Sequence, residues 1–246
     1  MKNNRIPYQV FWETYFPEQE LISREQALAT TGRNQQFATI EELRDYQKVV
    51  APIYGAYELE AFQLASLEKL LPAILRSPGG TLVSLGSGPG SYELWLLSQG
   101  FIQKCILIDL SENMLERAGE IAKRLDLTDH VEMICEDIST VVLPEESADV
   151  CISINSLHWS DHWRDWVKKA IKYTKPGGLI FLSASLQFPQ SQIDAAQFVG
   201  VAARGMHIRE HDFLLPVALV ANQQARSMRY YIAGNKKTRK ELQKKR

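Results

Sequence analysis

Apolar and polar positions along this chain follow two different periods, and the change falls near residue 80. Between Ile40 and Leu75, Leu43, Tyr46, Val49, Val50, Ile53, Tyr54 and Tyr57 recur at three- and four-residue steps. Phe62, Leu64, Leu67, Leu70, Leu71, Ile74 and Leu75 form a second such face. That spacing predicts amphipathic helices, kinked or broken at Pro52 and Pro72. Residues 11–30 mix aromatics with acids, and no strand is predicted in the first eighty residues. Ser77-Pro78-Gly79-Gly80 then punctuates the chain.

Beyond that break, short apolar runs alternate with helical segments. Strands are predicted at Thr81–Leu85, Cys105–Ile108, Val131–Cys135, Ala148–Ile154 and Leu179–Leu182, the last entered through a tight turn at Pro176-Gly177-Gly178. Helices are predicted at Ser91–Gln99, Ser111–Leu125 and Asp161–Tyr173, with Ser111 as N-cap and Glu112 in the first turn of the second. Further on, 191–204 and 215–227 read as helices, 205–213 as a strand, and Arg229–Ala233 as a closing edge strand. Strands separated by helices of this length imply βαβ units, right-handed crossovers and a mostly parallel, doubly wound α/β sheet. The expected organisation is a helical extension over residues 1–78, the sheet domain over 79–235 and a tail over 236–246.

Composition adds exclusions. A chain of 246 residues with 45% hydrophobic and 23% charged residues can bury a substantial core and is neither disordered nor disulfide-stapled. Its formal net charge of −1 conceals an asymmetry: residues 236–246 carry seven basic residues and one acid, so the remainder is acidic. Nucleic-acid binding would therefore have to come from the tail, which otherwise reads as a solvated terminus. Cys105, Cys135 and Cys151 lack CxxC spacing and sit in apolar runs, as expected of buried reduced thiols. No leader-type segment and no membrane-length apolar run is read in the chain, and the expected compartment is the cytoplasm.

The chemistry concentrates at Gly86-Ser87-Gly88-Pro89-Gly90. A strand running into such a turn and then a helix is expected to bring available backbone N–H groups to one point, where a ligand can approach the main chain closely. A dinucleotide fingerprint wants G-x-G-x-x-G; here the third glycine arrives one residue early, and Pro89 removes a donor. Asp109 ends the second strand, 23 residues after Gly86, where a carboxylate can accept both ribose hydroxyls of an adenosine. Asp137 ends the third and is placed to accept from an adenine amino group, with Ile138 on the ring and Leu110 and Met114 on its other face. Each acid taken alone also reads as a helix cap.

These residues resemble the motifs of class I S-adenosylmethionine-dependent methyltransferases. Leu82 to Gly90 is similar to the first motif, Ile108 to Leu115 to the second, Glu136-Asp137-Ile138 to the third and Ala148 to Trp159 to the fourth. Thr174 to Leu179 is similar to the turn before the fifth strand. The resemblance implies a Rossmann-like, seven-stranded fold and S-adenosyl-L-methionine as cofactor. It further implies that Gly86, Ser87, Gly88 and Gly90 surround the methionine part. Asp109 then holds the ribose, Asp137 and Ile138 the adenine, and Asn155 lies near the transferring methyl. Tyr46, Tyr54 and Tyr57 are candidate lid residues, and equally the packing face of a helix.

Methyl transfer to oxygen or carbon needs a base. His158, just past the fourth strand, is the first candidate and also reads as a pocket wall; His162 is the second. Trp159, Trp163 and Trp166 fit either an apolar acceptor pocket or the inner face of a helix. His207 and His211 are four apart without an HExxH pattern, and no metal is expected. The reading is a methyltransferase acting on a small-molecule oxygen, nitrogen or carbon nucleophile, as a monomer or homodimer away from membranes. Three alternatives stay open: an RNA methyltransferase using the basic tail, a cofactor-binding or interaction protein that transfers no methyl group, and a dinucleotide-dependent oxidoreductase.

Overall fold

Alternation in the strands sorts their side chains onto two faces of one sheet. A computed structural model describes residues 6–15, 41–42, 44–45, 48, 79–154, 156–157, 162–185, 206–214 and 227–235. In chain order the elements are α1 (Tyr8–Tyr15), β1 (Thr81–Leu85), α2 (Ser91–Ser98), β2 (Lys104–Asp109), α3 (Glu112–Arg124), β3 (Val131–Cys135), β4 (Ala148–Ser153), α4 (Trp163–Tyr173), β5 (Thr174–Ser185), β6 (Met206–Leu214) and β7 (Ser227–Asn235). The sheet runs β3-β2-β1-β4-β5-β7-β6, parallel from β3 to β5 and antiparallel where β7 meets β5 and β6.

Leu82, Cys105, Leu107, Val150, Ile152 and Phe181 face one core with α1, α2 and α3. Val83, Leu85, Ile106, Ile108, Cys151, Ile180 and Leu182 face the other, with α4. Strands covered on both sides are apolar throughout, which is why β1, β2 and β4 read as continuous runs. The helix α3 obeys its expected caps: Ser111 Oγ accepts the Met114 N–H at 3.4 Å, and Lys123 and Arg124 occupy the last turn.

Three expectations need correction. Arg229–Ala233 is not an edge: β7 lies between β5 and β6, and β6 takes the margin. The sequences explain it, since Arg209, Glu210, His211 and Asp212 suit an edge and Tyr230-Tyr231-Ile232-Ala233 suits an interior. Pro176-Gly177-Gly178 is not a turn into β5 but a bulge within it, where the one β4 residue between Ala148 and Val150 stands opposite the four β5 residues between Thr174 and Leu179. A Cβ on Gly178 would lie 2.5 Å from Thr174 Cγ2 and 2.8 Å from the Asp149 carbonyl, so the bulge closes only around glycine. Cys135 is exposed, because β3 is the opposite margin and only half covered; Cys105 and Cys151 are buried as expected.

Within the helical extension expected over residues 1–78, the structure describes the helix α1. In α1, Tyr8, Phe11, Trp12 and Tyr15 recur at helical steps and pack on α2. Tyr8 stacks on Tyr92 with ring centroids 5.5 Å apart, its hydroxyl donates to Ser91 Oγ at 3.2 Å, and the Trp95 indole N–H donates to the Ile6 carbonyl at 2.9 Å. This covers the outer side of α2, whose residues Ser91–Leu97 are all buried. A helix apolar all round needs such a second cover.

Residues 41–42, 44–45 and 48 are helical, as expected. The remainder of that stretch, including Tyr46, Tyr54 and Tyr57, lies outside the described residues, as do Asn155, His158, Trp159, the helices expected at 191–204 and 215–227, and the basic tail. Among the described residues, no helix is long and apolar enough to cross a membrane. Tyr8→Ala, which removes the ring that joins α1 to α2, is expected to cost about 3 kcal/mol in urea-induced unfolding and to shift tryptophan emission to the red as Trp95 becomes wetter.

Candidate active site

The carboxyl edges of β1, β2 and β3 meet at the glycine turn. The N–H groups of Gly86 and Ser87 both donate to the Ile108 carbonyl, at 2.8 and 3.1 Å, which stitches the turn to the end of β2. Gly88 donates to Asp109 Oδ2 at 2.7 Å, and Gly90 to the Ser87 carbonyl at 3.1 Å. Pro89 has no N–H. Every donor from residue 86 to 90 is therefore bonded within the protein, and the expected convergence of available N–H groups does not occur. Gly86 adopts φ +73, and a Cβ there would fall 2.6 Å from Ser156 Cβ. Ser156 Oγ in turn donates to the Leu85 carbonyl at 3.0 Å and pairs with Ser153 Oγ at 2.7 Å, so the end of β4 props the turn from behind.

Asp109 is 6% exposed. Burial raises its pKa, opposed by hydrogen bonds from the backbone of Ser111, Gly88 and Leu110. Its Oδ1 accepts the Ser111 N–H at 2.9 Å. Asp137 follows directly: the Glu136 N–H donates to the Asp109 carbonyl at 3.1 Å, so the two acids stand at neighbouring strand ends on one edge of the sheet. Asp137 Oδ1 accepts the Ser139 N–H at 2.7 Å, a local loop-closing bond. Leu110 is half-buried beside them, its carbonyl accepting from Cys135 Sγ at 3.7 Å, while Met114 and Ile138 are 4% and 3% exposed. Ile138 sits in the α4-side core with Val83, Leu85 and Ile108.

Of the acceptor-side residues, Trp163 and Trp166 belong to that same core and form the inner face of α4. Trp166 lies against the glycine turn, 3.6 Å from the point a Gly86 Cβ would occupy. His162 is exposed at the head of α4, where its carbonyl accepts from Asp165 and Trp166. Among the described residues no cluster of ligands could hold a metal ion.

Sequence reasoning missed Glu93. It lies in the first turn of α2, wholly buried, with Oε1 accepting from Ser84 Oγ at 2.5 Å and Oε2 lacking any hydrogen-bond partner. Its carboxyl is pushed up to about 7, chiefly by burial, and further by the neighbouring Asp109 charge; the Ser84 bond and the N–H groups of Glu93 and Tyr92 act the other way. The signal was a single charge within Ser-Tyr-Glu-Leu-Trp-Leu-Leu-Ser, an otherwise apolar helix directly after the turn.

Residues 86–90 thus offer no bare N–H donor, and carboxyls stand around them. A phosphate-bearing ligand needs donors and positive potential there. A cationic adenosine ligand needs acceptors, and each carboxylate oxygen of Asp109 and Asp137 retains a second lone pair for one. The residues present fit the second kind of ligand.

Because Glu93 titrates near 7 in the fold against about 4.5 ordinarily, its ionisation opposes folding. The penalty is absent below about pH 4.5, grows through pH 4.5–7 and is complete above 7, where it amounts to about 3 kcal/mol. Glu93→Gln retains an acceptor for Ser84 and cannot ionise. It is expected to raise the unfolding midpoint at pH 8 and to change it little at pH 4.5.

Comparison with known proteins agrees with this arrangement. Residues 83–182 match the family model described as a methyltransferase domain. The chain is 31% identical over 151 residues to a malonyl-[acyl-carrier protein] O-methyltransferase of Marinomonas, covering 61% of this chain and 52% of that one. It is 29% identical over 112 residues to the 27-O-demethylrifamycin SV methyltransferase of Amycolatopsis mediterranei, covering 45% and 40%. The chain thus spans about half or less of the length of these relatives. The YcgJ protein of Bacillus subtilis shares the fold at 14% identity with a TM-score of 0.55, over 70% of this chain and 98% of that one. The domain built on residues 83–182 belongs to the class I S-adenosylmethionine-dependent methyltransferase family.

Proposed function

We propose that this chain binds S-adenosyl-L-methionine at the β1–β2–β3 edge and transfers its methyl group to an oxygen of a small or carrier-borne metabolite. The observation that carries the reading is the glycine turn whose N–H groups are all bonded internally while acidic side chains surround it. Bound there, the cofactor supplies a methyl carbon already activated by a sulfonium leaving group. Asp109 accepts the ribose hydroxyls through its remaining lone pairs, held in place by Gly88 and Ser111. Asp137 accepts from the adenine amino group, with Leu110, Met114 and Ile138 as the apolar flank. Gly86, Ser87, Gly88 and Gly90 bring the main chain against the methionine part, Asn155 borders the methyl and Tyr54 belongs to the lid.

The protein's part in the transfer is alignment and exclusion of water. An oxygen nucleophile also has a proton to lose, and His158 is our candidate to take it, His162 being exposed and ranked second. The oxygen acceptor is supported by the two relatives, whose names specify an O-methyltransferase and a 27-O-demethyl compound.

Thermal unfolding with added ligands tests the cofactor. S-adenosylmethionine and S-adenosylhomocysteine are expected to raise the midpoint by several degrees and NADH to leave it unchanged; stabilisation by NADH alone would overturn the reading. Asp109→Asn is expected to weaken cofactor binding at least about tenfold by direct titration. With an acceptor in hand, His158→Ala is expected to lower kcat about a hundredfold with KM little changed; unaltered turnover would remove it as the base.

A further inference from the structure

The carboxyl of Glu93 has no role in the reading so far, and its surroundings are unusual for a residue that only packs. Glu93 is three residues past Gly90 on α2, and Ser84, to which Oε1 is bonded, is two residues before Gly86 on β1. It therefore joins the two arms that hold the glycine turn. On the third side stands Asp109, which binds the turn at Gly88 and whose charge opposes that of Glu93. The second oxygen, Oε2, is buried with no partner, an arrangement that costs free energy in the ligand-free protein.

The groups facing Glu93 can be named element by element among the described residues. From β1 comes the Ser84 hydroxyl, and from β2 the Asp109 carboxylate and the Cys105 thiol, whose ionisation Glu93 opposes. From α2 itself come the Tyr92 and Glu93 N–H groups. The apolar core on this side of the sheet also takes in Tyr8 of α1 and Leu115, Ala118, Ile121 and Ala122 of α3. No Lys, Arg or His is among them. Asp109 takes two strong backbone N–H bonds and is the better placed of the two acids to stay ionised. Glu93, wholly buried and with Oε2 lacking a hydrogen-bond partner, holds its proton in the absence of a cation.

We propose that Glu93 is a proton-linked counter-charge for the cofactor, releasing its proton to solvent as the ligand's positive charge arrives at the glycine turn. The balance is simple: the carboxyl O–H bond breaks, the proton passes to buffer, and the carboxylate remains beside the cation. The sulfonium and the methionine ammonium are the charges it answers. This inference rests on the cofactor reading above and deepens it by making binding pH-dependent. The affinity for S-adenosylmethionine then rises up to about tenfold per pH unit through the acidic range and levels off above pH 7. S-adenosylhomocysteine, which lacks the sulfonium charge, gains less.

Titration calorimetry of S-adenosylmethionine into the full chain at pH 6.5, in buffers of different ionisation enthalpy, counts the protons. The wild type is expected to release roughly half to one proton per site, and Glu93→Gln close to none, with an affinity flat in pH from 5.5 to 8. Ser84→Ala, which removes the donor that lowers the Glu93 pKa, is expected to move the pH at which affinity levels off upwards. Thermal unfolding of each variant confirms that it is folded. Binding with no proton release, or undiminished release from Glu93→Gln, overturns this proposal and leaves the cofactor reading standing. No binding of S-adenosylmethionine by folded wild type overturns both.

Discussion

The constraint on which the carboxyl edge depends is the way the β1–α2 turn is tied to the end of β2. Two N–H groups go to the Ile108 carbonyl and one to Asp109, and positive φ at Gly86, Gly88 and Gly90 lets the chain make those bonds within five residues. Once they are made, the turn has no donors left for an anion, and the charge of the site is set by its carboxyls. The same knot fixes Asp109 beside the turn and, through its carbonyl, the start of the loop that carries Asp137. Geometry at three strand ends thus follows from one set of backbone bonds.

Electrostatics at this edge depends on packing far from it in sequence. The helix α1 lays Tyr8, Phe11 and Trp12 over α2, whose residues Ser91–Leu97, Glu93 among them, are all buried. Burial is the largest cause of the raised Glu93 pKa, so its charge state depends on how completely α2 is covered. On the opposite face Ser153, Ser156 and Trp166 brace the turn from β4 and α4. The site is held from both layers of the molecule.

Much of this was legible in the residues. Strands β1, β2 and β4 are apolar because both faces are covered, and their ends at Gly86, Asp109 and Ser153 are marked by a change to glycine or polar residues. The glycine turn and the two acids that follow it, which the structure brings to one sheet edge, were visible in their order along the chain. What escaped has physical reasons. Strand order beyond β5 depends on pairing partners, which local pattern does not encode, although the charges of β6 were a usable hint. The bulge at Gly177-Gly178 looks like a turn because both need the same glycines. Glu93 was hidden because a lone charge on a helix ordinarily faces water. The bonding of the turn's N–H groups is a matter of ångströms, which spacing does not give.

The most direct test of the account is a crystal structure of the full chain grown with S-adenosylhomocysteine. The account predicts the adenosine lying across the ends of β2 and β3, with its ribose hydroxyls on Asp109 and its amino group on Asp137. Density for the ligand elsewhere, or an adenosine at this edge that touches neither carboxylate, would contradict it.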